Sequence, residues 1–192
     1  MIFNLQREYK YHVFPSHDLH AEGLSTIASG EGSHAEGSET VASGDYSHTE
    51  GILTEARGIY SHAEGFKSLA SGQASHAEGG DPSKNYSGGT ASGIGSHAEG
   101  IFTTASGNFS HAEGLSTIAS GQASHAEGQE TIASGTDSHA EGDTTIASGQ
   151  SSHAEGNSTT ASGDYSTASG SYTTASGYGS NASGYGSTSS GD

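Results

Sequence analysis

The chain has 192 residues, a length suited to one domain, but only 29% are hydrophobic and much of that is alanine, so a conventional core of large side chains cannot be assembled. A formal net charge of -17 with five lysines and arginines argues against a phosphate-binding surface, and so against nucleic-acid partners. Cysteine is absent, which removes disulfides and thiolate metal sites.

Residues 1–18 are the one part dense in large apolar side chains: Ile2, Phe3, Leu5, Tyr9, Tyr11, Val13 and Phe14. Tyr9, Tyr11 and Val13 alternate as they would along a strand. The segment is expected to cap the repeat array that follows. The alternative is end-to-end docking, in which it adds to the open strand edge of another rod. It holds no uninterrupted apolar stretch and no small-residue cleavage site, which argues against a secretory signal. Nowhere do about 20 apolar residues occur together, so no membrane insertion is expected.

From residue 19 to 156 one unit recurs. Its histidines are His20, His34, His48, His62 and His76, then His97, His111, His125, His139 and His153, spaced by fourteen with one step of twenty-one. Each is followed two residues later by a glutamate: Glu22, Glu36, Glu50, Glu64, Glu78, Glu99, Glu113, Glu127, Glu141 and Glu155. A fixed short period indicates a solenoid, whose units bury surface only by stacking on one another. Each unit holds two five-residue pieces, S-H-A-E-G and T-x-A-S-G, joined by pairs such as Leu115-Ser116 and Gln122-Ala123. Such pieces are too short for helices. They read as short strands closed by glycine corners, two strands per coil, giving an all-β parallel solenoid.

Strand parity then sorts the side chains. Ser110 and Ala112 share one face with the interior, as do Thr117 and Ala119, while His111, Glu113 and Ile118 point outwards. The outward column on the T-x-A-S-G side mixes Ile118, Thr104, Leu69 and Glu55, so it is expected to be wet. The other column repeats histidine and glutamate in all ten copies. That uniformity marks the twenty residues named above as the expected contact surface between chains.

Two irregularities interrupt the pattern. Residues 80–86 add seven positions without changing the alternation of strand types, which predicts a loop bulging from one corner, with Lys84 and Tyr86 exposed. Residues 157–192 continue the roll without histidine, and the outward register positions become Thr167, Ser169, Asn181 and Ser183, with Tyr165, Tyr172, Tyr178 and Tyr185 at corners.

The S-x-A-x-G and T-x-A-S-G units resemble the head repeats of trimeric autotransporter adhesins of the YadA type, over roughly residues 19–191. The resemblance implies a left-handed parallel β-roll, trimeric about a long axis, whose two x positions in S-x-A-x-G face that axis. Here those positions are His and Glu. The SHAEG-rich pattern is also similar to that of fibre proteins of spore-formers and their phages. Extracellular display, on a cell or spore surface or a virion, follows from either resemblance.

Around an axis, clustered carboxylates need a compensating donor, and imidazole supplies one, so a structural His–Glu network is expected and no cofactor is assigned. A metal or anion held by histidines on the axis is the lesser alternative. Catalysis is not expected, because Ser110 and His111 point to opposite faces. An ice-binding face would need a regular outward threonine array, which the mixed column lacks. The expected role is a non-enzymatic trimeric rod or fibre subunit, and whether the rods join head to tail is left open by the sequence. The alternative is an adhesin-type head that binds a surface receptor.

Overall fold

The computed structural model describes residues 18–191. The cap or docking role expected of Ile2, Phe3, Leu5, Tyr9, Tyr11, Val13 and Phe14 therefore lies outside the described residues. Among the described residues, twenty-four strands form two parallel sheets of twelve, and successive strands alternate between the sheets. One coil thus contributes one strand to each sheet, for example His111–Leu115 and Ile118–Ala119. Because one coil is one sequence period, each residue stacks on its own kind: His97 pairs His111, Ala98 pairs Ala112 and Glu99 pairs Glu113. Among the described residues there is no helix.

The interior follows the parity of the strands. Ala112 and Ala119 are fully buried, and Ser110 and Thr117 are sealed beside them. Apart from Phe66, every buried residue among those described is alanine, serine, threonine or glycine. Small side chains let the two sheets approach closely, at the cost of little apolar area per coil. Stability therefore leans on the backbone ladder between coils, such as the His111 N–H to Ser124 carbonyl and Ile118 N–H to Thr131 carbonyl bonds, both 2.9 Å. The interior serines also tie down the corners: Ser110 Oγ donates to the Gly107 carbonyl at 2.7 Å, and Ser124 Oγ to that of Gly121 at 2.8 Å.

In most coils the two strands are not equal in length, as the matching pentapeptides suggest they would be, although the coils of His48 and His62 have two-residue strands in both sheets. The histidine strand of most coils, such as His111–Leu115, runs past its glycine to the linker residue, whereas the threonine strand is only two residues long. The reason lies in the ladder, where the N–H groups of Ser120 and Gly121 both turn to one carbonyl, that of Ala133, at 2.9 and 3.3 Å. The chain has begun its corner there.

The glycines also work differently from expectation. Gly114 does adopt a left-handed angle, φ +108°, but its counterpart Gly121 does not. Gly121 is required by proximity instead, since a Cβ there would sit 1.9 Å from the Gly135 carbonyl oxygen. The left-handed conformation at that corner falls on the linker residue, Ala123 at φ 53° and Phe109 at φ 59°. Positive φ in an ordinary residue costs about 1–2 kcal/mol, and the hydrogen-bonded ladder on either side holds it there.

Residues 80–86 leave the roll without disturbing it. Gly79 pairs Gly100 and His76 pairs His97, although twenty-one positions separate them. Asp81 and Tyr86 close a small antiparallel bridge, and the Asp81 carboxylate accepts from the N–H and Oγ of Ser83 at 2.9 and 2.6 Å. The excursion is anchored where Lys67 Nζ donates to Asn85 Oδ1 at 2.8 Å and the Gly88 N–H to the Phe66 carbonyl at 2.9 Å. Its residues shelter Phe66, at a corner position where Leu24 and Ile52 in other coils stay exposed.

Candidate functional site

Parity and register together place the ten histidines in one column and the ten glutamates in a second column beside it, on the outer face of one sheet. Neighbouring imidazoles from His48 to His139 lie face to face at 4.7–4.8 Å between centroids, with interplanar angles of 10° or less. The stack passes the insertion unbroken: His76 and His97 are 4.7 Å apart at 3°. The ends depart, with His20 against His34 at 90°, His34 against His48 at 24° and His139 against His153 at 32°. All twenty residues expected at the contact surface thus share one face, and each mid-rod side chain remains about a third exposed in the single chain.

A glutamate reaches its own rung or the next, and Glu141 reaches both, at 3.8 Å from His139 and 3.9 Å from His153. Oε2 approaches the imidazole of its own coil, as in Glu99 to His97 at 3.6 Å and Glu113 to His111 at 3.7 Å. Oε1 approaches the next coil, as in Glu64 to His76 at 3.3 Å and Glu78 to His97 at 3.2 Å. These last two are hydrogen bonds. Apart from these and the exposed His20–Glu22 bond at 3.5 Å the spacing is too long, so Nε2 of His62, His111, His125 and His139 is shielded from solvent without a hydrogen-bond partner. The serine of the same repeat takes no part, because Ser110 Oγ is inside the roll and bonded to Gly107.

The stacking perturbs protonation in opposite senses. His111 and His139 fall below their ordinary 6.5, first through burial and then through neighbouring imidazoles: His97 and His125 for the one, His125 and His153 for the other. Glu113 and Glu141 rise above 4.5, first through burial and then through neighbouring carboxylates. Opposing charges are in reach as well, Glu99 and Glu127 beside His111 and His139 beside Glu141. A histidine with a depressed value contributes stability that is present above pH 6.5 and lost as pH falls through its folded value. A glutamate with a raised value contributes stability that is present below pH 4.5 and lost as pH rises through its folded value. Between those limits both contributions are diminished. Denaturation midpoints measured from pH 4 to 8 in metal-free buffer are expected to pass through a shallow minimum between 4.5 and 6.5; a monotonic profile would contradict the column's geometry.

A second set of aligned groups lies at the corners. Tyr46 stacks on Tyr60 at 5.4 Å, Tyr86 meets Phe102 at 5.3 Å, and Tyr165 meets Tyr178 at 5.3 Å. The sequence reading placed the C-terminal tyrosines at corners but missed the Tyr46–Tyr60 pair, although their spacing of one period was available as a signal.

The sequence matches the YadA head domain repeat (2 copies) over residues 21–47, 112–138, 140–166, 147–173 and 168–192, together more than half of the chain. The chain belongs to the YadA head repeat family. Residues 48–111, outside those matches, keep the family's coil geometry, since the register runs through them without a slip. The YadA-type β-roll expected from the repeats is therefore the observed fold. No curated protein is similar enough to the chain to count as a relative.

Proposed function

We propose that this YadA-type roll is a non-enzymatic fibre subunit, in which three copies pack their histidine–glutamate columns around a common axis and the resulting rod is displayed at a surface. The observation that carries this reading is the uniformity of one outward face. Ten identical His–Glu rungs repeat at 4.7–5.0 Å with their imidazole Nε2 atoms largely unpaired, a surface suited to polar partners in fixed geometry. The opposite face is irregular and satisfies its own charge: Arg57 Nε donates to Glu55 Oε2 at 2.7 Å within one chain.

Family membership supports the trimer, because the two x positions of S-x-A-x-G are the ones that meet at the axis in YadA-type heads. A thin roll with an interior of alanine, serine and threonine also gains most from sharing a face, since its own interior buries little apolar area. Twelve coils at strand spacing make a rod of roughly 55 Å. Head-to-tail joining would extend it, with the segment 1–18 as the joining element.

The second reading is an adhesin-type head that binds a receptor. It is favoured by the excursion at residues 80–86, which holds Lys84 above the Tyr86 ring at 5.9 Å and within 3.7 Å of Asp81, at the rod's most distinctive exposed point. Electron microscopy of the purified full chain separates the two. The fibre reading expects rods that join end to end and lose that joining when residues 1–15 are removed. Uniform short particles with no tendency to join would favour the head.

A further inference from the structure

The outer face of the threonine-strand sheet is nearly free of charge, in a chain whose formal net charge is -17. Two columns make it up, the x and serine positions of T-x-A-S-G, and both point away from the interior. The x column carries Ile27, Val41, Leu69, Ile118, Ile132 and Ile146, with threonine in most other coils. Stacking within the column does not cover them: Ile118 stays 38% exposed between Thr104 and Ile132. The second column is serine except at Arg57. Among the described residues Glu55 is the one acid on this face, and Arg57 neutralises it within the same coil.

The rest of the charge lies on other surfaces. The column glutamates belong to the histidine sheet, while Glu39, Asp45, Glu130 and Asp164 stand exposed at corners. Two copies that meet by those surfaces bring like charges together, a repulsion that low salt leaves unscreened. Meeting by the neutral face avoids it. The groups there are also self-complementary, since isoleucine packs on isoleucine and a hydroxyl both donates and accepts.

We infer that this face docks the same face of a second copy, sheet against sheet, so that rods associate side by side. The inference rests on the fibre reading, because sharing the His–Glu face among three chains is what turns this face outwards. Its area suits a weak contact. Two columns about 7 Å apart cover roughly 10 Å of width with their side chains, along a rod of roughly 55 Å. Full overlap therefore buries roughly 1,100 Å² over both partners, just above the about 1,000 Å² that a specific contact needs. Mixed side-chain sizes along the x column define no single register, in contrast to the uniform His–Glu rungs. Lateral association is thus reversible and variable in size, and the corner carboxylates at its rim make it depend on salt.

Sedimentation velocity of the full chain in about 0.01 M and about 1 M NaCl tests it, because the screening length falls from about 30 Å to about 3 Å between them. Trimers are expected at low salt and species of several trimers at high salt, redispersed when the salt is removed. The variant Ile118→Glu, Ile132→Glu, Ile146→Glu is expected to remain trimeric in both, with an unchanged circular dichroism spectrum, since Glu55 already occupies that position in another coil. Adding the same charge off the face, as Gln122→Glu, Gln129→Glu, Gln150→Glu at the corners, should leave the high-salt species in place. Native trimers that never enlarge would overturn the side-by-side contact and leave the trimer standing. High-salt species undiminished in the isoleucine variant, or lost equally in the glutamine variant, would overturn the assignment to this face. Single chains at low salt would instead refute the shared His–Glu axis, and the lateral contact with it.

Discussion

Replacing Gly114 by alanine is expected to destabilise the rod by about 3–5 kcal/mol, the sum of two separate penalties. The backbone there lies at φ +108°, which an L residue resists. The added Cβ would also stand 2.2 Å from the carbonyl oxygen of Gly128 in the next coil. Neither partner can yield, because both atoms belong to the ladder that joins coils, and in a solenoid a broken contact between neighbours splits the array at that point. Gly184 is the internal control. It occupies the same place in the repeat with φ +96°, but a Cβ there meets nothing within 4 Å. Gly184→Ala should therefore cost only the conformational part, about 1–2 kcal/mol. Unfolding curves followed by circular dichroism check both, and equal losses for the two variants would refute the close-approach argument.

The second large effect concerns assembly. Alanine at His97, His111 and His125 together removes three consecutive rungs of donors and leaves Glu99, Glu113 and Glu127 without the imidazoles now 3.6–3.7 Å away. If that face is shared by three chains, the unpaired carboxylates are buried against one another, at about 1–3 kcal/mol each. Assembly should weaken by orders of magnitude and thermal stability should fall with it. Changing Glu99, Glu113 and Glu127 to glutamine in the same background should restore much of the loss, because the uncompensated charge is gone. Unchanged assembly and stability in the triple histidine variant would count against the shared face.

These effects differ in how far the amino-acid order alone exposes them. Burial of Ala112 and Thr117 and the outward placement of His111 and Glu113 are legible, because parity along a strand is a local property. The register is legible for a similar reason: a period of fourteen stacks His97 on His111 whatever the details of the corner. The insertion was legible from the unchanged alternation of strand types on either side of it.

Contacts between coils were less accessible. The need for glycine at Gly121 arises from a carbonyl fourteen residues away, and a single repeat gives no sign of it. Left-handed angles at Ala123 and Phe109 contradict the residue types, since tertiary hydrogen bonding overrides the local preference for glycine there. The face-to-face stacking of the imidazoles and the reach of Glu64, Glu78 and Glu141 to the next coil depend on rotamers set by neighbours above and below. The column could be foreseen, whereas its bridging geometry could not.

Sedimentation equilibrium on the purified full chain tests the shared His–Glu face most directly, with the triple histidine variant run beside it. A mass of three chains for the native protein, falling to one for the variant, is the predicted result. A native protein that sediments as a single chain at every concentration would contradict it.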